Sequence, residues 1–270
     1  MVATTPAIGM SANSDADRRF FFAYTLFIFV TVLVGFVPHS VDLVHAVVVG
    51  HLPPIPLAIH IHAIVMGGWI ILLLVQAASV ATGRTALHRR LGMIAFAWIP
   101  LMVLMMVLVA RSIWMMVAGL PAGAIPPDVL ASTKTLLSNI LIEQITAFVL
   151  FPLFALWGIA VRRSDPGAHR RLMILATLVI LMAAVDRIAV RWLPTTYPAS
   201  YDAQYIYALL WMAPVLIFDL VRRGRVHRVW VIGLACNLPF FVFNHFMWGS
   251  PRWLETAPII MGLFGVSGWK

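Results

Sequence analysis

Residues 162–193 read RRSDPGAHRRLMILATLVILMAAVDRIAVRWL. A basic turn of Arg162, Arg163, Ser164, Asp165, Pro166 and Gly167 leads through His169, Arg170 and Arg171 into an apolar run that ends near 193. A helix rises about 1.5 Å per residue, so about 20 apolar residues cross roughly 30 Å of hydrocarbon. The run from 171 to 193 is long enough to do so. Asp186 and Arg187 are the only ionisable groups deep inside it. A short arginine cluster followed by such a run marks a span entered from its basic side.

Six further runs have the same character: about 20–37, 56–81, 91–110, 136–161, 204–221 and 229–248. All seven are expected to be helical, because backbone in lipid must satisfy its own hydrogen bonds. A β-barrel would show ten-residue segments of alternating polarity, and these runs are continuously apolar. The expected fold is an all-α polytopic membrane bundle of seven transmembrane helices, three helical hairpins plus one N-terminal helix. Four runs carry an internal proline, Pro100, Pro152, Pro214 and Pro239, which membrane helices tolerate.

The composition agrees. The chain is 62% hydrophobic and 11% charged, with a mean hydropathy of +0.95, where a soluble chain is about 25% charged. The net charge of +9 sits in short clusters between apolar runs. A nucleic-acid partner would call for basic residues spread over a polar fold, so none is expected. Membrane lipid is the expected partner, and other membrane subunits remain open. The single cysteine, Cys236, excludes an intrachain disulfide.

Orientation follows from the arginines. Arg18 and Arg19 precede the first run; Arg84, Arg89 and Arg90 join the second to the third; Arg162, Arg163, Arg170 and Arg171 join the fourth to the fifth; Arg222, Arg223, Arg225 and Arg228 join the sixth to the seventh. The opposite loops hold only Arg111, Lys134, Arg191, Arg252 and Lys270. This bias places the N-terminus inside and the C-terminus outside. The first run is too long for a signal peptide and lacks a nearby cleavage site, so it reads as a retained anchor. The expected division is a disordered cytoplasmic segment 1–19, a membrane domain 20–250 and an outer interfacial tail 251–270. The outer loops 38–55 and 111–135 are apolar and are expected to dip into the interface.

The inner loops repeat. Residues 83–92 read GRTALHRRLG, residues 162–172 read RRSDPGAHRRL and residues 222–229 read RRGRVHRV. Each places His-Arg before the next run, so the second to seventh runs form three hairpins. His88, His169 and His227 are either ligands and proton carriers or interfacial anchors beside lipid phosphates. The His60-Ile61-His62 entry, Trp69, Gln76, GRTALHRRLG and the second loop AHRRLM together resemble a family of bacterial multi-pass membrane proteins of unknown function. The resemblance covers roughly residues 52–190. It implies the fold and a bacterial cytoplasmic (inner) membrane location, and no chemistry. The third loop departs from the pattern at Val229 and Trp230.

An ionisable residue inside a span is a functional candidate by default. These are His60, His62, Glu143, Asp186, Arg187 and His245. Asp219 lies near the inner end of its run, where Arg222 or Arg223 is an expected partner. Counted from the outer ends, His62 lies roughly 9 Å deep, Glu143 and Asp186 roughly 10 Å and His245 roughly 5 Å. One polar layer is therefore expected near the outer face. His62 heads a stripe through Met66, Trp69, Leu73 and Gln76 and is expected to face inward. His60 heads a row through Ala63, Ile64, Gly67 and Ile71 that suits close packing.

Three readings of the layer stand. It is a set of buried hydrogen bonds with an ion pair, such as Glu143 with Arg187. It is a haem or transition-metal site, with His62 and His245 binding the cofactor and Glu143 as a further metal ligand. Or it is a relay in a transporter. On the second reading Glu143, Asp186 and Arg187 are the candidate catalytic groups, and the protein is a membrane redox or metal protein acting on an apolar or quinone-like molecule. The alternative is a non-enzymatic transporter or an assembly subunit. A retinal protein is excluded because no lysine lies in a span. No Walker loop, Rossmann glycine run or CxxCH is present.

Overall fold

The computed structural model describes residues 8–192 and 201–269, with side chains from 15 to 192 and from 205 to 269. Among the described residues the chain is helical without strands. The elements are α1 (Ile8–Val48), α2 (Leu57–Ala81), α3 (Thr85–Gly92), α4 (Ala95–Ala118), α5 (Pro127–Val161), α6 (Pro166–Trp192), α7 (Tyr201–Arg223), α8 (Arg228–Met247) and α9 (Pro251–Leu263). Seven of them, α1, α2 and α4 to α8, are long and apolar enough to cross a membrane. These are the seven runs of the sequence.

The helices overrun the apolar stretches. The first starts at Ile8, so residues 8–19, expected to be disordered, continue α1; residues 1–7 lie outside the described residues. Most of the expected outer loop 111–135 belongs to α4 and α5. Polar residues there, such as Ser132 and Thr133, return their hydroxyls to the Val129 carbonyl within the helix, so they leave no donor unpaired.

α6 is the central pillar. Of its span 56% is buried, against 17–33% in the other six. It packs on α5, α1, α7 and α8, while α2 packs on α1, α4 and α3. Side chains fix these neighbours in mid-membrane. Trp69 Nε1 of α2 donates to Thr177 Oγ1 of α6 at 3.1 Å. Trp98 Nε1 of α4 donates to the Val65 carbonyl of α2 at 2.9 Å. Trp211 Nε1 of α7 donates to Thr31 Oγ1 of α1 at 3.1 Å. An indole buries a large apolar area and still delivers one donor, which suits a medium with no water to take it up. Leucines and valines on the outer perimeter stay exposed, Val221 at 76% for instance, and face the lipid.

The tail is a ninth helix. α9 lays Trp253, Ala257 and Met261 against α4 and α5, and Trp253 Nε1 donates to the Ser138 carbonyl at 2.6 Å. Trp269 stacks on Trp114 with ring centroids 4.0 Å apart.

The repeat has a structural meaning at two of its three loops. His169 Nδ1 bonds the Gly158 carbonyl of α5 at 2.8 Å, and His88 Nδ1 reaches the Gln76 carbonyl of α2 at 3.4 Å. Each ring ties the start of one helix to the end of the one before. The two rings meet edge to face, with centroids 6.3 Å apart. His227 does something else: its Nδ1 accepts the Val229 N–H and caps α8. The turn after α2 closes with the Arg84 N–H on the Ser79 carbonyl at 2.7 Å and the Gly83 N–H on Val80 at 3.2 Å. That turn needs a left-handed residue, supplied by Gly83 at φ +75°.

Candidate functional site

A cavity of about 110 Å³ lies between α5, α6, α7 and α8. α6 supplies Leu175, Leu178, Val179 and Met182 at helical spacing; α7 supplies Tyr205, Ala208, Leu209 and Met212; α8 supplies Leu234 and Asn237; α5 supplies Glu143 and Thr146. The walls are apolar apart from Glu143, Thr146, Tyr205 and Asn237. On the α7 wall, Leu209 is 42% exposed.

Local contacts position the polar groups. Asn244 Nδ2 of α8 donates to Thr146 Oγ1 of α5 at 3.2 Å, one turn from Glu143. Tyr205 lies on the Phe241 ring, with centroids 4.2 Å apart, joining α7 to α8. Asn237 Nδ2 donates to the Gly233 carbonyl at 3.0 Å, which leaves its Oδ1 as an acceptor. A Cβ at Gly233 would land on the Leu175 side chain, so glycine lets α8 approach α6 beside the cavity.

Asp186 is buried at 4% exposure and continues the α6 row through Val179 and Met182 by one further turn. Arg187 lies about 100° around the helix. Its guanidinium lies over the Phe36 ring of α1 at 4.4 Å, and Nη1 donates to the Ala183 carbonyl at 2.6 Å. Arg191, one turn on, meets Asp42 of α1 at 2.6 Å. At Arg191 this arginine face meets a carboxylate from another helix, Asp42 of α1.

The two histidines expected to converge belong to different helix groups. His62 is half-buried, beside the Met105 carbonyl of α4 and within the field of Arg187. Its buried Nδ1 has no hydrogen-bond partner among the described residues. His245 is exposed near the end of α8, against Phe241 and Phe246. α2 packs with α1, α3 and α4, and α8 packs with α5, α6 and α7. Agreement in depth says nothing about position around the bundle, and α2 and α8 are not among the helix pairs that pack most closely. Among the described residues no three His, Cys, Asp or Glu side chains gather as a metal site. The stripe of His62 does face inward, with Trp69 and Leu73 buried. The row of His60 does not pack closely: Ile64 is 72% exposed, and a Cβ at Gly67 would meet nothing within 4 Å. The close approach is at Gly68, under the Trp98 ring.

A second polar centre lies at the arginine-rich end, where exposed loop charges were expected. Arg171 and Asp219 are both fully buried and pair through two hydrogen bonds. Trp230 Nε1 donates to the same carboxylate at 2.7 Å, and Arg171 Nη1 donates to the Gly167 carbonyl at 2.9 Å. Arg223, one of the two partners expected from sequence, is a further ion-pair partner of Asp219 at 3.5 Å. Asp17 of α1 pairs with Arg170 and lies 3.5 Å from Arg223. Four helices are joined in one network. The sequence signal was a carboxylate in a span beside a loop rich in arginine; the spacing within α7 pointed to Arg223, which does pair with Asp219, but not to Arg171.

No family model, no curated protein and no solved structure matches this chain. The site therefore stands on its own geometry.

Proposed function

We propose that this integral membrane protein binds a ring-headed apolar molecule of the quinone type in the α5–α8 cavity, with Glu143 as its polar anchor. The observation that carries this reading is a carboxyl group set in the wall of a largely apolar cavity, one wall of which includes the exposed Leu209. A largely apolar pocket with a few convergent polar groups is the usual form of a small-molecule site. Its volume of about 110 Å³ is of the order of the ~150 Å³ apolar cavity that holds a benzene ring. A six-membered ring fills it, and a tail leaves past Leu209 into the membrane.

Three polar groups suit such a head. Tyr205 donates through its hydroxyl. Asn237 accepts through its amide oxygen. Glu143 accepts from a hydroxyl when ionised and donates to a carbonyl when protonated. One carboxyl can thus hold either form, protonated against the quinone carbonyl and ionised against the quinol hydroxyl. The arginine bias supports an N-terminus on the cytoplasmic side. Binding of decylubiquinone to the purified protein, compared with Ala208→Phe and Glu143→Gln, tests the reading.

A further inference from the structure

We propose that a second cavity, between the α5–α6 turn and the start of α8, holds an anionic phospholipid at the arginine-rich face. This cavity measures about 410 Å³, within the ~300–1,000 Å³ range of ligand sites. It is separate from the Glu143 cavity and does not depend on the reading given to that one.

Its walls change character along its length. Trp157 and Val161 of α5 face Val229 and Ile232 of α8 across an apolar floor, and Ser164 and Arg228 stand at its polar mouth. Asp165 also lines the mouth, but its carboxylate is already engaged. Oδ1 accepts the Ala168 N–H at 2.8 Å, capping α6, and Oδ2 accepts from Arg228 Nη2 at 3.0 Å. The Arg228 side chain is 74% exposed, so its remaining N–H groups face outward from the mouth. The two segments that border it, 162–165 and 222–228, hold six arginines and this one carboxylate.

A phospholipid with net negative charge matches this layout at each level. The phosphate meets the Arg228 guanidinium, the surrounding excess of arginine favours an anionic over a zwitterionic head, and an acyl chain runs along Trp157 and Ile232. Basic pockets between membrane helices are recognised sites for anionic head groups. A soluble anion would use the mouth and leave the floor empty.

The test is native mass spectrometry of the detergent-purified full chain, equilibrated with equal amounts of phosphatidylglycerol and phosphatidylcholine of identical acyl chains. The wild type is expected to retain phosphatidylglycerol over phosphatidylcholine by about fivefold or more, the preference one well-placed arginine gives near an anionic surface. Arg228→Gln should remove most of that preference. Ile232→Trp fills the floor without changing any charge, and should lower retention of both lipids. Equal retention of the two lipids by the wild type overturns the proposal. Unchanged retention in Ile232→Trp also overturns it, because the anion would then be held by the mouth alone.

Discussion

Arg171 of α6 and Asp219 of α7 form an ion pair with no solvent exposure at either residue, closed by the Trp230 indole of α8. A charge removed from water in this way is costly unless its partner and further hydrogen bonds compensate it. Here they do. Asp219→Ala should destabilise the protein by about 3–5 kcal/mol, since it strands the buried guanidinium. Arg171→Met combined with Asp219→Leu should recover part of that loss, because the apolar pair avoids the desolvation term but leaves the Trp230 N–H without its acceptor. Thermal melts in detergent of the wild type, the single variant and the double variant decide it; a single variant that melts with the wild type contradicts the role given to the pair.

Gly35 and Gly67 should respond in opposite directions to alanine. A Cβ at Gly35 would fall on the Ala184 carbonyl oxygen of α6, so α1 must move away from the pillar. Overpacking of this kind costs about 1–3 kcal/mol. A Cβ at Gly67 meets nothing within 4 Å, and alanine there should add up to about 1 kcal/mol through helix propensity. Paired melting curves would refute this if both variants shifted the same way.

The hairpin histidines should be unequal. His169→Ala loses a bond of 2.8 Å to Gly158, and His88→Ala loses one of 3.4 Å to Gln76. A net hydrogen bond is worth about 1 kcal/mol, so the first variant should fall by about that much and the second by less. Limited proteolysis at the loops 82–84 and 162–165 is the sensitive measurement, with faster cleavage expected at the second loop in His169→Ala.

Acid should weaken the arginine-rich end. Burial, and then the neighbouring Arg171, holds the His227 imidazole below its ordinary value. The Ala168 N–H, with Arg228 beside it, holds the Asp165 carboxyl below the usual carboxylate range. A depressed value means that the unfolded chain binds the proton more readily, so stability is retained above the unfolded value and lost as pH falls. The loss from His227 begins as pH drops below about 6.5, and that from Asp165 below about 4. Melting temperature against pH should therefore decline in two stages, and His227→Gln should flatten the first. A first stage that persists unchanged in His227→Gln would assign it to another group.

The seven helices were legible because lipid imposes one rule on every span, and apolar length expresses it. The hairpin order followed from the arginine clusters. Position around the bundle was not legible. His62 and His245 agree in depth, but α2 and α8 are not among the helix pairs that pack most closely, and nothing in either helix alone reports that. Asp219 has Arg222 and Arg223 close in sequence, while its main partner is Arg171, 48 residues away. Arg171 was counted with the loop, because its neighbours are polar. The helix begins at Pro166 and carries it inside. Glu143 was singled out by charge alone; its cavity depends on Gly233, Ala208 and Met182, apolar or small residues that carry no individual signal.

The central claim is that the Glu143 cavity takes a ring-headed apolar molecule from the membrane. Equilibrium dialysis of decylubiquinone against the detergent-solubilised full chain measures it directly. The wild type should bind one molecule per chain saturably. Ala208→Phe, which fills the cavity without altering charge, should abolish that binding, and Glu143→Gln should weaken it by about tenfold, as loss of a hydrogen bond to a charged group does. Non-saturable uptake by the wild type, or saturable binding that survives Ala208→Phe, would contradict the assignment.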